Sequence, residues 1–332
     1  MSAAQWVDVA TIPRDRWQRP MIIPPDGGKP VAYTRATTFA GSIKETNALM
    51  EWKARQTAIG LATRPDLAAR VAAAGPEPDD EAKAKAWKAD LGKLCASAQE
   101  AAGSSTKSNL GTALHAFTEA VNRGRTDVVI PEQYLPHIAA YQEATQGWRM
   151  LGIEAFLVED EYQIGGTADR IAEVPGLGLV IADVKSGAKI AQYPHEAAGQ
   201  LSIYAHSKRY DPATGARTPI DGLRTDVGVI IALNAATGKC DLHLINLIAG
   251  WESVRLCAEV RAWRRKKDLL QPLRPAPRPD RRTQVALQVA IAEAPTRDEL
   301  IALWQAADAR GQWSDELTEL ARTRMTTLLA TA

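Results

Sequence analysis

Gly176-Leu-Gly-Leu-Val-Ile-Ala-Asp-Val-Lys-Ser-Gly187 is the stretch on which the fold turns. It reads as a β-strand that ends in charge. Leu179, Ile181, Asp183 and Lys185 share one face by the two-residue period, and Val180, Ala182 and Val184 share the other. A run this apolar is expected to be covered on both faces. An Asp and a Lys on the same face of a buried strand need a reason, because burying an unpaired charge is costly. Either they pair with each other, or they hold a polyanion together with a cation.

A second carboxylate favours the cation. Gly165-Gly-Thr-Ala-Asp-Arg-Ile-Ala-Glu173 is strand-like and carries Asp169, and Val174-Pro-Gly-Leu-Gly178 is a turn signal. The two strands therefore read as a hairpin that brings Asp169 and Asp183 side by side. Two carboxylates alone would repel. With Mg²⁺ or Mn²⁺ between them they form a hard-oxygen site, and Lys185 can then steer a water or hold a phosphate oxygen.

Asp169 followed by Asp183-Val-Lys185 resembles the split Asp…(Asp/Glu)-x-Lys signature of the PD-(D/E)XK nuclease superfamily. Gly111-Thr-Ala-Leu-His115 is similar to the Gly-x-x-x-His helix of its RecB-like branch. Gln200-Leu-Ser-Ile-Tyr204 is similar to that branch's Gln-x-x-x-Tyr helix. Order and approximate spacing agree across roughly residues 105 to 210. The resemblance implies a metal held by His115, Asp169, Asp183 and the Val184 carbonyl, with Lys185 placing the attacking water. It implies that Gln200 and Tyr204 orient Lys185 or touch the neighbours of the scissile phosphate.

The chain has 332 residues and a formal net charge of +1, enough for one large domain or two small ones. It shows no transmembrane run and no signal peptide. Cys95, Cys240 and Cys257 are scattered, without a disulfide framework, which points to a reducing cytoplasm. Some nucleases of the same branch carry a four-cysteine iron–sulfur cluster; three cysteines cannot supply it, so no cluster is expected.

Residues 1–34, rich in Pro, Gly and charge, read as an extended arm with little structure of its own. A helical part follows over 35–150. Arg35 opens it, as a phosphate contact or as a surface arginine near a helix cap. Helices are expected over about 42–74, 80–99 and 109–123, and from Pro131 and Pro136 to about Met150. In the third, Leu110, Leu114, Phe117 and Val121 form the apolar stripe and His115 lies at its edge. Residues 153–159 and 161–164 alternate like strands. Their acids Glu154, Glu159 and Glu161 are candidates for an additional metal contact, Glu161 foremost because it lies just before the Asp169 strand. A helix from 194 to 209 carries Gln200 and Tyr204 on one face. Strands over 226–233 and 239–246 and a helix over 249–270 follow, the last with Trp251, Val254, Cys257 and Trp263 inward.

That helix ends in Arg261, Arg264, Arg265, Lys266 and Lys267, the one strongly basic run. It suits a phosphate-tracking surface or simply a solvated helix end. A Pro-rich cationic linker spans 271–283. Residues 284–332 read as a small helical hairpin with a capping box at Thr296…Glu299, suited to a protein or single-strand contact or to a plain structural role.

The expected fold is α/β: a mixed central sheet flanked by helices, within a nuclease domain over 35–270 whose α/β core begins near 105. The function implied by the resemblance is a metal-dependent deoxyribonuclease, more an exonuclease of phage-type recombination or DNA processing than an endonuclease. Its implied partners are DNA and a single-strand annealing or other recombination protein, in the cytoplasm. Oligomeric state is left open. Two other readings stay open: a catalytically idle binding or assembly subunit that kept the fold, and an unrelated α/β protein in which Asp183 and Lys185 form only an ion pair.

Overall fold

The computed structural model describes residues 6–187, 192–267, 269–270 and 280–330, with the backbone alone at 107 and 108. The chain divides into two compact units, Met1–Arg265 and Lys266–Ala332.

The first unit opens with short strands β1 (Met21–Ile22), β2 (Val31–Ala32) and β3 (Thr34–Arg35). Helices α1 (Ala36–Ala40), α2 (Asn47–Thr63), α3 (Pro65–Ala74), α4 (Glu81–Ala101), α5 (Thr106–Asn122) and α6 (Leu135–Ala144) follow. Then come β4 (Arg149–Glu159), β5 (Ile164–Val174), β6 (Gly178–Lys185) and α7 (His195–His206). The unit ends with β7 (Lys208–Tyr210), β8 (Arg217–Thr218), β9 (Val227–Leu233), β10 (Cys240–Asn246) and α8 (Leu247–Arg264).

β1 and β2 pair in a small sheet of their own, and the other strands form one mixed sheet in the order β10-β9-β6-β5-β4-β7-β8, with β3 beside β5. The β5–β6 hairpin is antiparallel and β6–β9 is parallel. The alternation in β6 decides which helices cover which face. Ile181 points into a core made with Phe39 of α1, Leu201 and Tyr204 of α7 and Val254 and Cys257 of α8. Val180, Ala182 and Val184 point the other way, against Leu114 of α5 and Tyr141 of α6. The strand is apolar on both faces because it is covered on both.

One detail of the sheet positions the site. β6 pairs with β5 over Arg170–Val174, and β3 pairs with β5 only at Ile164 and Gly165. Residues 166–169 of β5 are left between the two without a ladder partner on that edge. Asp169 lies at the end of this gap, where a side chain rather than backbone meets β6.

Several expectations need correction. The arm over residues 1–34 is not structureless in its described part. Ile12, Ile22 and Tyr33 are buried against Phe156, Val158 and Tyr210, and this apolar packing folds the segment onto the sheet. The helix expected over 42–74 breaks at Arg64, after which Pro65 starts α3. The helix expected to run to Met150 ends at Ala144, because Gly147 takes a φ of 79° and reverses the chain into β4. Residues 160–163 are a turn, not a strand: Gln163 has a φ of 54°, and the Glu159 carboxylate accepts the N–H groups of Glu161 and Tyr162. The helix expected to reach Arg209 stops at His206, because Lys208 and Arg209 extend the sheet beside β4. Trp263 is exposed rather than inward.

The second unit packs three helices instead of a hairpin: α9 (Arg281–Glu293), α10 (Arg297–Asp308) and α11 (Asp315–Ala330). Ile291, Leu300 and Leu317 make its core. Thr296 Oγ1 accepts the Glu299 N–H at 3.3 Å, the cap expected there. Most of the linker expected over 271–283 lies outside the described residues.

Candidate active site

The site is built where the β5–β6 hairpin meets α5. Asp169 Oδ2 accepts the Val184 N–H at 3.0 Å, so the carboxylate itself bridges the two strands. His115 of α5 places Nδ1 3.4 Å from the same oxygen. Asp183 lies on the next strand with its side chain 2% exposed, and Lys185 Nζ is 2.6 Å from its Oδ2. Among the described residues the Lys185 ammonium is the one polar partner that this buried oxygen has. Four of the side chains that the sequence singled out as catalytic or metal-binding, His115, Asp169, Asp183 and Lys185, thus lie together. What the structure shows at Val184 is its N–H, bound to Asp169; the carbonyl is the group the sequence reading assigned to a metal.

Glycine explains how α5 comes so close. A Cβ on Gly111 would lie 2.5 Å from Ser186 Oγ. The Gly-x-x-x-His spacing therefore has a local cause: the glycine admits the end of β6, and His115, one turn later, reaches Asp169. Gly166 does the same on the α7 side, where a Cβ would lie 2.9 Å from Ala36 Cβ and 3.1 Å from the Tyr204 hydroxyl. Gln200 Nε2 donates to that hydroxyl at 3.3 Å, and both side chains are buried.

The electrostatics follow from crowding acids in a dry place. Burial, and then the neighbouring charge of Asp169, push the Asp183 carboxyl up to about 7 against the pull of Lys185. Burial would lower the Lys185 ammonium, but Asp183 and Asp169 outweigh it and hold its pKa above the ordinary value. Burial lowers the His115 imidazole, opposed by Asp169 and reinforced by Lys185 and Arg170, which keeps it neutral near pH 7. Burial also raises the Tyr204 phenol, and Asp183 and Asp169 add to the effect.

Two further residues join this set, of which the sequence had put forward only Glu154. Arg170 is 1% exposed. Its Nε donates to Asn122 Oδ1 at 2.7 Å, one terminal nitrogen to the Asp169 carbonyl at 2.7 Å, and the other to Thr118 Oγ1 at 3.2 Å. It ties α5 to the strand that carries Asp169. The signal was present in the sequence: a charged residue inside a strand apolar on both faces. Glu154 was weighed behind Glu161. The pairs Ile153↔Arg170 and Ala155↔Ala168 set it across from Asp169, and its backbone takes a φ of 50°. Its carboxylate is 3.8 Å from Arg170, and burial, then Asp169 and Glu119, push its carboxyl up to about 7.

The structure does not bring every candidate to this place. Glu161 sits in the turn before β5, beside Glu159 and Tyr162. Asp169 is five residues into β5 from Ile164, roughly 16 Å along a strand. Glu159 is committed to capping that turn. Arg35 is exposed at the start of α1. Arg264 and Arg265 are exposed at the end of α8, and Lys266 and Lys267 are exposed at the start of the second unit. Arg261 is used structurally, donating to Thr34 Oγ1 at 3.0 Å and lying over the Phe39 ring.

Residues 127–221 match the PD-(D/E)XK nuclease superfamily. The matched span contains α6, the strands β4 to β8 and α7, with Asp169, Asp183, Lys185, Gln200 and Tyr204; His115 lies before it. No curated protein matches the chain.

Nucleases of this superfamily generally use divalent metals. Among the described residues no three His, Cys, Asp or Glu side chains already converge on one cation position. The donor chemistry nevertheless fits a hard cation: two adjacent carboxylates, one buried oxygen met by an ammonium alone, and an imidazole whose pKa burial lowers. Here the Lys185 ammonium supplies the positive charge that Asp183 needs.

Proposed function

We propose that this chain hydrolyses phosphodiester bonds in DNA with Mg²⁺ or Mn²⁺. The reading goes further, to an exonuclease acting in DNA processing of the phage recombination kind. The observation that carries it is the meeting of Asp169, Asp183, Lys185 and His115 at one end of a hairpin, within and just before the span that matches a nuclease superfamily.

Asp169, Asp183, His115 and the Val184 carbonyl would hold the metal. When bound, such an ion polarises a phosphoryl oxygen and lowers the pKa of its water. Lys185 would then turn from Asp183 towards the reacting phosphate, orient the water and offset the charge that develops there. Gln200 and Tyr204, joined to each other beside Gly166, would orient Lys185 or touch the neighbours of the scissile phosphate. Arg170, bound to the Asp169 carbonyl and to α5, would hold the Asp169 strand and the His115 helix in register, with Glu154 beside it.

The test is incubation with linear and with covalently closed circular DNA in Mg²⁺, in Mn²⁺ and in EDTA. Metal-dependent loss of linear DNA with intact circles supports the exonuclease. Nicked circles keep the nuclease and remove the exonuclease. No cleavage of either substrate in either metal returns the chain to the idle-subunit reading.

A further inference from the structure

Outside the site, the loop before β1 presents a tryptophan to solvent. Trp17 is 58% exposed. The guanidinium of Arg16 lies 3.9 Å from its ring centroid and that of Arg19 4.9 Å. The indole is thus held beside two cations and keeps more than half of its surface in solvent.

The loop that carries it is rigid. Arg14 pairs with Pro20 as an isolated bridge, which closes the loop. Inside it, Asp15 Oδ1 accepts the N–H groups of Trp17 and Arg19, both at 2.9 Å, and Oδ2 accepts Arg19 Nε at 2.8 Å. Gln18 takes a φ of 63°, and Arg14 donates to its carbonyl at 3.1 Å. The base of the loop is anchored by Ile12 and Ile22 in the apolar cluster with Phe156 and Tyr210, and by Pro20 against Gly165. Such a loop loses little conformational freedom when it meets a ligand.

Its charge selects the ligand. The loop carries three arginines against one aspartate, and that aspartate is spent on Arg19. Arg14 and Arg16 make no ion pair with a described carboxylate. An exposed indole beside uncompensated guanidiniums suits unpaired bases on a phosphate chain: stacking takes any base, and the cations follow the backbone. The loop is also tied to the catalytic strand, because Gly165 precedes Asp169 by four residues, about 13 Å along β5.

We propose that the 14–20 loop is a contact for single-stranded DNA, in which a base takes the place of the Arg16 guanidinium over the Trp17 ring and Arg14 and Arg16 engage the adjoining phosphates. This rests on the nuclease reading for its substrate and adds to it an unpaired strand held away from the reacting bond.

The experiment uses the full chain in EDTA, so that nothing is cut. Fluorescence anisotropy measures binding to a labelled oligothymidylate and to a blunt duplex, and thermal melts accompany each variant. Trp17→Ala is expected to weaken oligothymidylate binding about tenfold, with duplex binding and melting temperature unchanged, and Trp17→Phe to restore most of the loss. Arg16→Gln is expected to reduce the salt dependence of binding by roughly one counterion. If Trp17→Ala binds oligothymidylate like the wild type, or the wild type binds none, the inference is overturned. The two readings fail separately. A chain that binds through Trp17 but cuts nothing in Mg²⁺ sinks the nuclease and leaves the contact. A chain that cuts but ignores Trp17→Ala sinks the contact alone.

Discussion

Replacing Arg170 by Met tests whether the guanidinium holds the site together or merely fills space. Arg170 is the largest of the fully buried side chains, and Met approximates its aliphatic stem while removing the charge and every donor. The substitution leaves the Asp169 carbonyl without its partner, takes one of two donors from Asn122 Oδ1, which keeps the Tyr141 hydroxyl at 2.6 Å, and deprives Glu154 of the cation beside it. Thr118 Oγ1 loses little, since it still donates to the His115 carbonyl. A buried carbonyl left unsatisfied costs about 1–3 kcal/mol, and breaking a buried charged set costs about 3–5 kcal/mol in total. Glu154 softens the loss, because its carboxyl is pushed up to about 7 and can protonate. A cost of about 3 kcal/mol, at 2–4 °C per kcal/mol for a unit of this size, lowers the melting temperature by about 6–12 °C. Function should fall further than stability. Thr118 and Asn122 lie one and two turns after His115 on α5, so the imidazole loses its registration with Asp169. DNA cleavage well below the melting temperature is expected to drop by about tenfold or more. The assays are thermal unfolding by circular dichroism and initial cleavage rates on linear DNA. A melting temperature within about 2 °C of wild type, together with undiminished cleavage, would refute the claim that Arg170 positions α5.

Glu154→Gln should raise the melting temperature at pH 8 in EDTA and leave it unchanged at pH 4. The folded carboxyl titrates near 7 and the unfolded one near 4.3, so the wild type loses stability as pH rises through that interval and the amide does not. Asp160→Asn should behave in the opposite sense. Burial raises the Asp160 carboxyl, but hydrogen bonds from Arg217 and from the Tyr33 hydroxyl at 2.9 Å outweigh it and hold it below the usual range. Its stabilisation is present above the unfolded value of about 3.9 and fades as pH falls through the lower folded value. The variant is therefore expected to be less stable by about 1–2 kcal/mol at pH 7 and to converge with wild type in acid melts. Gly250→Ala should prevent α8 from seating on α7, since the added Cβ would lie 2.3 Å from the Ala198 carbonyl oxygen. Loss of soluble, cooperatively melting protein is expected, and a normal melt would contradict the packing.

The hairpin was readable in the sequence because two rules coincide there. A turn of Pro and Gly joins two runs of alternating pattern, and acids stand where apolar residues belong. The α5 and α7 contributions came from the resemblance of Gly111…His115 and Gln200…Tyr204 to motifs of a known nuclease branch, since spacing alone would have left His115 and Tyr204 as ordinary core-edge residues. What the sequence concealed was decided by contacts distant along the chain. Ile12 and Ile22 in a Pro-rich segment look like loop residues until Phe156 and Tyr210 supply their partners. Lys208 and Arg209 continue a helical pattern, and only the free edge of β4 draws them into strand. Glu161 looked nearer to Asp169 than Glu154 did, because sequence distance was read as spatial distance. In an antiparallel pair the residue across the ladder is the neighbour, and that residue is Glu154. Arg170 was visible as a charge inside a buried strand, but its neighbours Thr118 and Asn122 belong to a helix some fifty positions earlier.

The most direct measurement is cleavage of end-labelled linear DNA in Mg²⁺ by the wild type, Lys185→Ala and Asp183→Asn, with binding to the same DNA followed in parallel. The account predicts that the wild type cuts, that both variants are slowed by at least about a hundredfold, and that both still bind. Cleavage by either variant at the wild-type rate would contradict it, because the buried carboxylate and the ammonium beside it would then have no part in the reaction.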